Sequence, residues 1–270
     1  MKKVITILCF VMQSLSLEET TVFAQKVLRV HHTKQPLTDG PSKQIWETVQ
    51  PLAINLMAQS ILVPIGGGSV PQVLVKALYN GKKVAFQLTW KDETEDIENG
   101  VDTFRDSVSL MFPVHHAKKD STSPLMGFKG LPVNIWQWRA DWQAEVEGRR
   151  NLEVRQPLSQ GVWISPLDQQ ILKKMYPGKH SPKATTVEYI SEGFGTLTRQ
   201  EQQDVTSLGI HQNGRWTVVF LRDLKRKDFS DAEFAPKIKT VINFAVWNGS
   251  ENDVNGRKSV SMVWTHLVFD

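Results

Sequence analysis

Few segments of this chain carry residue types whose spacing could do chemistry. Met126 lies in PLMGFKGLPVNIWQW, between a turn and a tryptophan-rich strand, where its thioether is either a core filler or a soft ligand. The run Gly66–Gly68 in PIGGGSVPQ predicts a loop, because it lacks both the Lys-Ser/Thr of a P-loop and the spaced glycines of a dinucleotide fingerprint. His31–His32 and His115–His116 are adjacent pairs that point to opposite faces of a strand, so we interpret them as surface residues. The acidic run Asp92–Glu98 lacks EF-hand spacing and favours a solvated loop over a calcium site.

The single cysteine, Cys9, lies in a segment with the pattern of a secretory signal peptide. Lys2 and Lys3 precede the apolar run VITILCFVMQSLSL, and Val22-Phe23-Ala24 offers a cleavage site. We therefore predict a signal peptide over residues 1–24, a mature chain that begins at Gln25, and a periplasmic location. Without thiols, the mature chain is predicted to have no disulfide, Cys-ligated zinc, iron–sulfur cluster or covalent c-type haem.

The composition is that of a globular chain without a polyanion-binding face. Of its 270 residues, 40% are hydrophobic and 22% charged, which is enough to bury one large core. The net charge of +4 comes from basic residues scattered among nearly as many acids, and the densest basic cluster, Lys225–Lys227, is flanked by Asp223 and Asp228. We predict no nucleic-acid partner, no membrane span after the signal peptide, and one domain over residues 25–270.

The elements that must position these residues are predicted to be strands. VLVKALYNGKKVAFQLTW contains two β-rich runs joined by Asn80-Gly81, a pair typical of a type I′ hairpin turn. TSLGIHQNGRWTVVFLRDL predicts a second hairpin around Asn213-Gly214. Further strands are predicted in SVSLMFPV, PVNIWQW, TVEYISEGFGTL, TVINFAVW and SVSMVWTHLVF. Helix is predicted only near Pro166–Met175 and Ile45–Met57, so the fold class is all-β, an antiparallel β-sandwich with minor helices.

An ordered series of motifs resembles a known family. The series is LYNGKKVAFQLTWKD, FRDSVSLMFPV, PLMGFKGLPVNIWQWRAD, NGRWTVVFLRDL, FAVWNG and NGRKSVSMVW, within a match from Gln50 to Phe269. It is similar to the haem b-binding gamma subunit of the type II dimethyl sulfoxide reductase group. That group includes ethylbenzene dehydrogenase, dimethyl sulfide dehydrogenase, chlorate and selenate reductases, and nitrite oxidoreductases. The resemblance implies a haem-binding sandwich whose iron is held by a methionine and a lysine.

Carried onto this sequence, the resemblance implies Met126 and Lys258 as the two iron ligands. Met126 lies in the Met-Gly turn before PVNIWQW, and Met111 in SVSLMFPV is its rival. Lys258 lies in NGRKSVS, and Lys239 in PKIKTVINFAVW is the rival lysine. A lysine can ligate iron only when deprotonated, so a buried apolar pocket that lowers its pKa would favour this role.

The resemblance also implies partners and a role. The chain is expected to carry electrons by haem b in a heterotrimer with a molybdopterin catalytic subunit and an iron–sulfur subunit, with a soluble carrier such as a cytochrome c outside it. Nothing in the sequence resembles a nucleophile elbow, and the chain itself is expected to perform no substrate chemistry. The alternative interpretation is a secreted carbohydrate- or ligand-binding sandwich, in which some tryptophans would be stacking platforms.

Overall fold

A computed structural model describes most of the chain. The described residues are 26–40, 44–100, 102–116, 121–149 and 184–270. The predicted signal peptide over residues 1–24 and the predicted helix near Pro166–Met175 lie outside them.

Strands are the main regular structure of the described residues. The strands are β1 Val27–His32, β2 Leu52–Asn55, β3 Met57–Ala58, β4 Gln72–Tyr79, β5 Lys83–Lys91, β6 Ser107–Pro113, β7 Val133–Arg139, β8 Thr186–Ser191, β9 Thr198–Arg199, β10 Thr206–His211, β11 Arg215–Asp223, β12 Lys239–Trp247, β13 Ser259–Val260 and β14 Thr265–Phe269. Within the described ranges, one α-helix, α1, spans Ala140–Val146, and short 3-10 turns lie at Gln44–Thr48 and Gly249–Glu251.

The strands form two layers that share β12. One layer has the order β10-β11-β5-β4-β1-β14, and the other continues as β12-β6-β7-β8-β9. Residues 239–242 of β12 pair with β14, whereas residues 243–247 pair with β6 in the second layer. The predicted all-β sandwich is therefore confirmed. Its pairing is mixed rather than purely antiparallel, because β1 runs parallel to both of its neighbours.

Both predicted hairpins are present, as β4–β5 and β10–β11. Asn213 and Gly214 both have positive φ, as a type I′ turn requires. At the other turn only Gly81 has positive φ, and the Asn80 side chain instead accepts hydrogen bonds from the backbone N–H groups of Lys82 and Lys83. The turn at Asn80 is therefore not the type I′ turn that its sequence favours.

The core lies between the layers and is aromatic. The alternating residues of β5 and β11 face those of β6 and β7, and Phe112 lies 4.9 Å from Trp136 between ring centroids. Trp138 and Trp216 approach to 4.8 Å in an edge-to-face arrangement. The inward residues of β6 and β7 pack in this core. Because successive side chains of a strand point to opposite faces, the alternate residues face outward from the sandwich.

The predicted helix near Ile45–Met57 is wrong. A 3-10 turn occupies Gln44–Thr48, and β2 and β3 follow it. Pro51 lacks the N–H that a continuing helix needs, and from Leu52 onward the chain pairs with the edge of β4. A search of the described part of the chain for helices long and apolar enough to cross a membrane finds none.

Candidate functional site

A cleft lies on the outer face of the second layer, opposite the aromatic core. Its floor is built from residues that alternate with the core residues, such as Ser109 and Met111 on β6 and Ile135 and Gln137 on β7. The cavity has a volume of about 410 Å³, within the size range of sites for cofactor-sized ligands. The strand alternation that builds the core therefore also builds a recessed floor on the other face.

Met126 reaches this cleft from the connection between β6 and β7. Its φ is 70°, a left-handed conformation that costs a side-chain-bearing residue roughly 1–2 kcal/mol. Its carbonyl oxygen accepts hydrogen bonds from the N–H of Gly193 at 2.8 Å and from Ser191 Oγ at 2.9 Å. These contacts anchor the turn at the end of β8, and the half-buried side chain packs against Met111 and Ile135. A strained backbone held this way indicates that the position of the Met126 side chain matters.

Lys258 reaches the same cleft from the loop before β13. It is half-buried, and its Nζ lies 4.9 Å from the centroid of the Trp247 ring. Burial lowers the pKa of Lys258 to about 8. Met126 is anchored at β8, and the Lys258 segment lies beside β13. Three strands, β7, β6 and β12, separate the two. The thioether and the amine therefore enter one cleft from well-separated segments.

The glycine run Gly66–Gly68 is a loop, as predicted, and it holds the Lys258 backbone. The N–H of Lys258 donates to the Gly66 carbonyl at 3.2 Å, and its carbonyl accepts from the Gln59 N–H at 3.2 Å. A Cβ on Gly67 would lie 2.3–2.5 Å from backbone atoms of Lys258. Glycine is required at residue 67 because the two backbones approach too closely for any side chain. The sequence pattern predicted the loop but not this contact.

The two rival residues lie in different environments. Met111 is 7% exposed in the floor of the cleft, so it shares the cavity with Met126 and Lys258. Lys239 is exposed at the start of β12, opposite Val268 of β14, and is not part of the cleft lining. The structure therefore brings three of the four sequence-predicted residues together and leaves Lys239 outside.

Sequence reasoning missed two arginines at one end of the cleft. Arg105 and Arg139 both line it, at the end of the β6–β7 pair where Ser107 lies opposite Arg139. Arg139 donates from Nε and Nη2 to the buried Asp141 carboxylate at 3.0 and 2.6 Å, and Arg105 Nε lies 3.8 Å from Asp141 Oδ1. The alternation in NIWQWR could have placed Arg139 on the cleft face, since it is two residues beyond Gln137.

The acidic run lies elsewhere and is less solvated than predicted. Asp92 is 3% exposed, and its carboxylate lies near those of Asp96 and Asp106, with all three ligand atoms within 4.8 Å of one another. Asp106 accepts the backbone N–H groups of Asp96 and Gly249 and the Trp216 indole N–H. Burial, with the Asp92 charge second, raises the pKa of Asp106 to about 8. These hydrogen bonds tie the start of β6 to segments at the ends of β5, β11 and β12.

Two of the predicted surface histidines pair with carboxylates. His31 Nδ1 lies 2.8 Å from the Asp270 carboxylate, and His116 Nδ1 lies 2.9 Å from that of Glu233. Neither lines the cleft.

The fold and cleft together define a class, a β-sandwich with a cofactor-sized cleft on the outer face of one layer. The model of the family described as ethylbenzene dehydrogenase matches residues 43–259. The chain belongs to that family, which confirms the resemblance to haem-binding gamma subunits of the type II dimethyl sulfoxide reductase group.

Three curated relatives carry names from the same group. The "Putative respiratory nitrate reductase heme subunit ORF7" of Haloferax mediterranei is 27% identical over 85% of this chain and 67% of its own length. The chlorate reductase subunit gamma of Ideonella dechloratans is 24% identical over 91% of this chain and 86% of its own length. The dimethylsulfide dehydrogenase subunit gamma of Rhodovulum sulfidophilum is 24% identical over 84% and 73%.

A solved structure shares the fold. A "putative carbohydrate-binding protein" from Bacteroides uniformis aligns with a TM-score of 0.50 and 8% identity, over 92% of this chain and 100% of that one. At that identity the likeness supports the sandwich architecture and says nothing about the ligand.

Proposed function

We propose that this chain binds one haem b and is the electron-transfer subunit of a periplasmic molybdopterin oxidoreductase complex. In this role it relays electrons between the iron–sulfur and catalytic subunits and a soluble carrier such as a cytochrome c. The observation that carries the proposal is the single cleft into which Met126 and Lys258 project from separate segments. The names of the relatives, which include a haem subunit and two gamma subunits, support it.

The residues present fit such a cofactor. Ile135, Trp247 and Val260 supply apolar lining, and Met126 and Lys258 supply a thioether and an amine. When bound, haem b would supply a reversible one-electron couple. The thioether of Met126 would favour the ferrous state, as a soft and uncharged ligand does. Because burial lowers the pKa of Lys258 to about 8, less free energy is needed to remove its proton than for a solvated lysine.

The partner's substrate is a further part of the proposal. One relative is named for a nitrate reductase, which supports a nitrogen oxyanion as the substrate class and a nitrite oxidoreductase as the specific complex. This chain would not contact that substrate. The purified complex should therefore oxidise nitrite or reduce nitrate, and activity confined to another substrate of the group would reject this part alone.

The carbohydrate-binding alternative is disfavoured by the tryptophans. A stacking platform needs an exposed ring face. In the described part of the chain the following are buried: Trp46, Trp90, Trp136, Trp138, Trp142, Trp216 and Trp247. Trp264 is half-buried and donates its indole N–H to the Thr122 carbonyl at 2.8 Å. The indole rings therefore serve chiefly the core rather than a sugar surface.

The test is the haem spectrum of the purified chain and of four alanine variants. The parent protein should show a Soret band and a low-spin spectrum. Met126→Ala and Lys258→Ala should each lose the low-spin signature, because one strong-field ligand is gone. Met111→Ala should retain it with a loss of packing, and Lys239→Ala should be unchanged, since that lysine lies outside the cleft.

Two outcomes would count against the proposal in different ways. Loss of the low-spin spectrum in Met111→Ala, with Met126→Ala unaffected, would move the ligand to Met111 and leave haem binding intact. A full-length chain that shows no Soret band after incubation with haem b would contradict the function itself.

A further inference from the structure

We propose that Gln59 is a positioning residue that fixes the segment from which Lys258 enters the cleft. This inference rests on the proposed function, in which the Lys258 amine ligates the iron of haem b. Gln59 is 6% exposed and directly follows β3, the short strand that pairs with β13 beside Lys258. Its backbone and its side chain both hold the segment that carries the lysine.

The backbone of Gln59 is bonded to two neighbouring segments. Its N–H is shared between the carbonyl oxygens of Gly66 and Lys258, at 3.1 and 3.2 Å, and its own carbonyl accepts from the Gly66 N–H at 2.8 Å. The Gly66 carbonyl also accepts from the Lys258 N–H at 3.2 Å. Backbone hydrogen bonds therefore join Gln59, Gly66 and Lys258 in one closed set.

The amide side chain of Gln59 adds a second attachment. Its Nε2 donates to the carbonyl oxygens of Leu62 at 2.7 Å and Gly256 at 2.9 Å, and its Oε1 accepts from the N–H groups of Ile61 and Leu62. One buried amide thus connects the loop that brings Leu62 to the cleft with the loop that brings Gly256 and Lys258 to it. An apolar replacement would remove all of these hydrogen bonds from a buried place, which is costly.

The contact with the Lys258 segment is close. A Cβ on Gly256 would lie 3.3 Å from Gln59 Nε2, so the amide packs directly against the backbone of that loop. The loop is held by the amide at residue 256 and by the Gln59 N–H at residue 258. Hydrogen bonds that orient a metal ligand in this way typically contribute about 10–100-fold to metal affinity. Gln59 should therefore act on the iron through Lys258 without touching it.

The haem spectrum and imidazole binding of Gln59→Met test this role. Methionine has nearly the length of glutamine but cannot replace its hydrogen bonds. The full-length variant should lose the low-spin spectrum and bind haem b roughly tenfold more weakly. It should also bind added imidazole as Lys258→Ala does, because the position of the amine on the iron is open. The parent chain should not bind imidazole at the same concentration.

Gln143→Met is the matched control, since Gln143 is a buried glutamine that holds another part of the fold. It is 2% exposed, its Oε1 accepts from the Trp138 indole and the Gly209 N–H, and its Nε2 donates to the Gly209 carbonyl. Gln143 is not among the described residues that line the cleft. Its variant should lose stability in urea to a similar extent as Gln59→Met, yet keep the low-spin spectrum and exclude imidazole.

A second change at the same position covers the case in which Gln59→Met does not fold. Gln59→Asn keeps an amide but is shorter by one methylene, so it cannot reach the carbonyl groups of both Leu62 and Gly256. It should still lose the low-spin spectrum and bind imidazole.

The possible failures are distinguishable. A folded Gln59 variant that keeps the low-spin spectrum would overturn the positioning role and leave the haem function in place. Loss of that spectrum in Gln143→Met as well would also overturn it, because general destabilisation would then explain the effect. A parent chain that shows no Soret band with haem b would contradict the proposed function, and this inference with it.

Discussion

Glu188 shows how a single buried residue should make the stability of this protein depend on pH. It lies on the core side of β8, opposite Trp136 of β7, and is 1% exposed. Its Oε2 accepts the N–H groups of Asp204 and Val205, whereas Oε1 has no hydrogen-bond partner within the described residues. Burial raises the pKa of Glu188 to about 7. The folded state therefore holds this proton more tightly than the unfolded chain does.

The sign of the effect follows from that difference. Between about pH 4.5, where an unfolded glutamate titrates, and about pH 7, the folded state binds more protons, so the Glu188 contribution to stability falls as pH rises. Glu188→Gln keeps an oxygen that can accept both backbone N–H groups and removes the buried charge. The variant should gain on the order of 3 kcal/mol relative to the parent at pH 8 and almost nothing at pH 4.

Urea unfolding at several pH values measures this difference. Glu201→Gln, at an exposed position, is the control and should give the same difference from the parent at every pH. A Glu188→Gln difference that does not change between pH 4 and pH 8 would show that the pKa of Glu188 is the same in the folded and unfolded states.

At the scale of elements, the Gly66–Gly68 loop should control the position of Lys258. Gly67→Ala would place a Cβ 2.3–2.5 Å from the Lys258 backbone, so the loop before β13 must move. We expect a loss of stability and a loss of the low-spin haem spectrum together. Gly81→Ala is the matched control, since Gly81 also has a positive φ but a Cβ there would meet no atom within 4 Å.

The control separates backbone strain from displacement of the ligand. Gly81→Ala should cost only the roughly 1–2 kcal/mol of a left-handed residue and keep the spectrum. Gly67→Ala should cost more, as measured by urea unfolding, and should change the spectrum. If both variants keep a low-spin haem, the glycine loop does not set the position of the ligand.

Many of the strands and turns could be predicted from the sequence, and the exceptions have physical reasons. Alternating apolar residues of β5 and β11 predicted both hairpins, because a strand with one buried face must repeat every second residue. The apolar spacing of the segment after Pro51 fits both the helix period and the strand period over so short a stretch. Its pairing with β4 is a tertiary contact that local sequence does not encode.

At the scale of the whole molecule, the chain should be found exported and assembled. The charged and apolar N-terminal pattern predicts cleavage after Ala24, and the lack of cysteine in residues 25–270 means that partner chains must supply any iron–sulfur cluster. Affinity purification of the tagged chain from its own organism should recover a molybdenum-containing chain and an iron–sulfur chain. N-terminal sequencing of the purified chain should begin at Gln25.

Each half of this expectation can fail separately. A chain that retains Met1 in the cytoplasmic fraction would contradict export. A chain recovered by itself at native abundance, still with haem, would contradict the heterotrimer while leaving the cofactor assignment in place.

The sequence by itself determined the chemistry available to this protein. It supplied thioethers and amines but no thiol in the predicted mature chain, an alternating pattern that predicts a sandwich, and motifs that identify the family. The tertiary structure decided which of those groups meet. Met126, Met111 and Lys258 share a cleft while Lys239 does not, and Arg105 and Arg139 converge on Asp141. Whether these side chains come together depends on strand register and on close backbone contacts between segments far apart in the chain. A single sequence encodes neither of these directly.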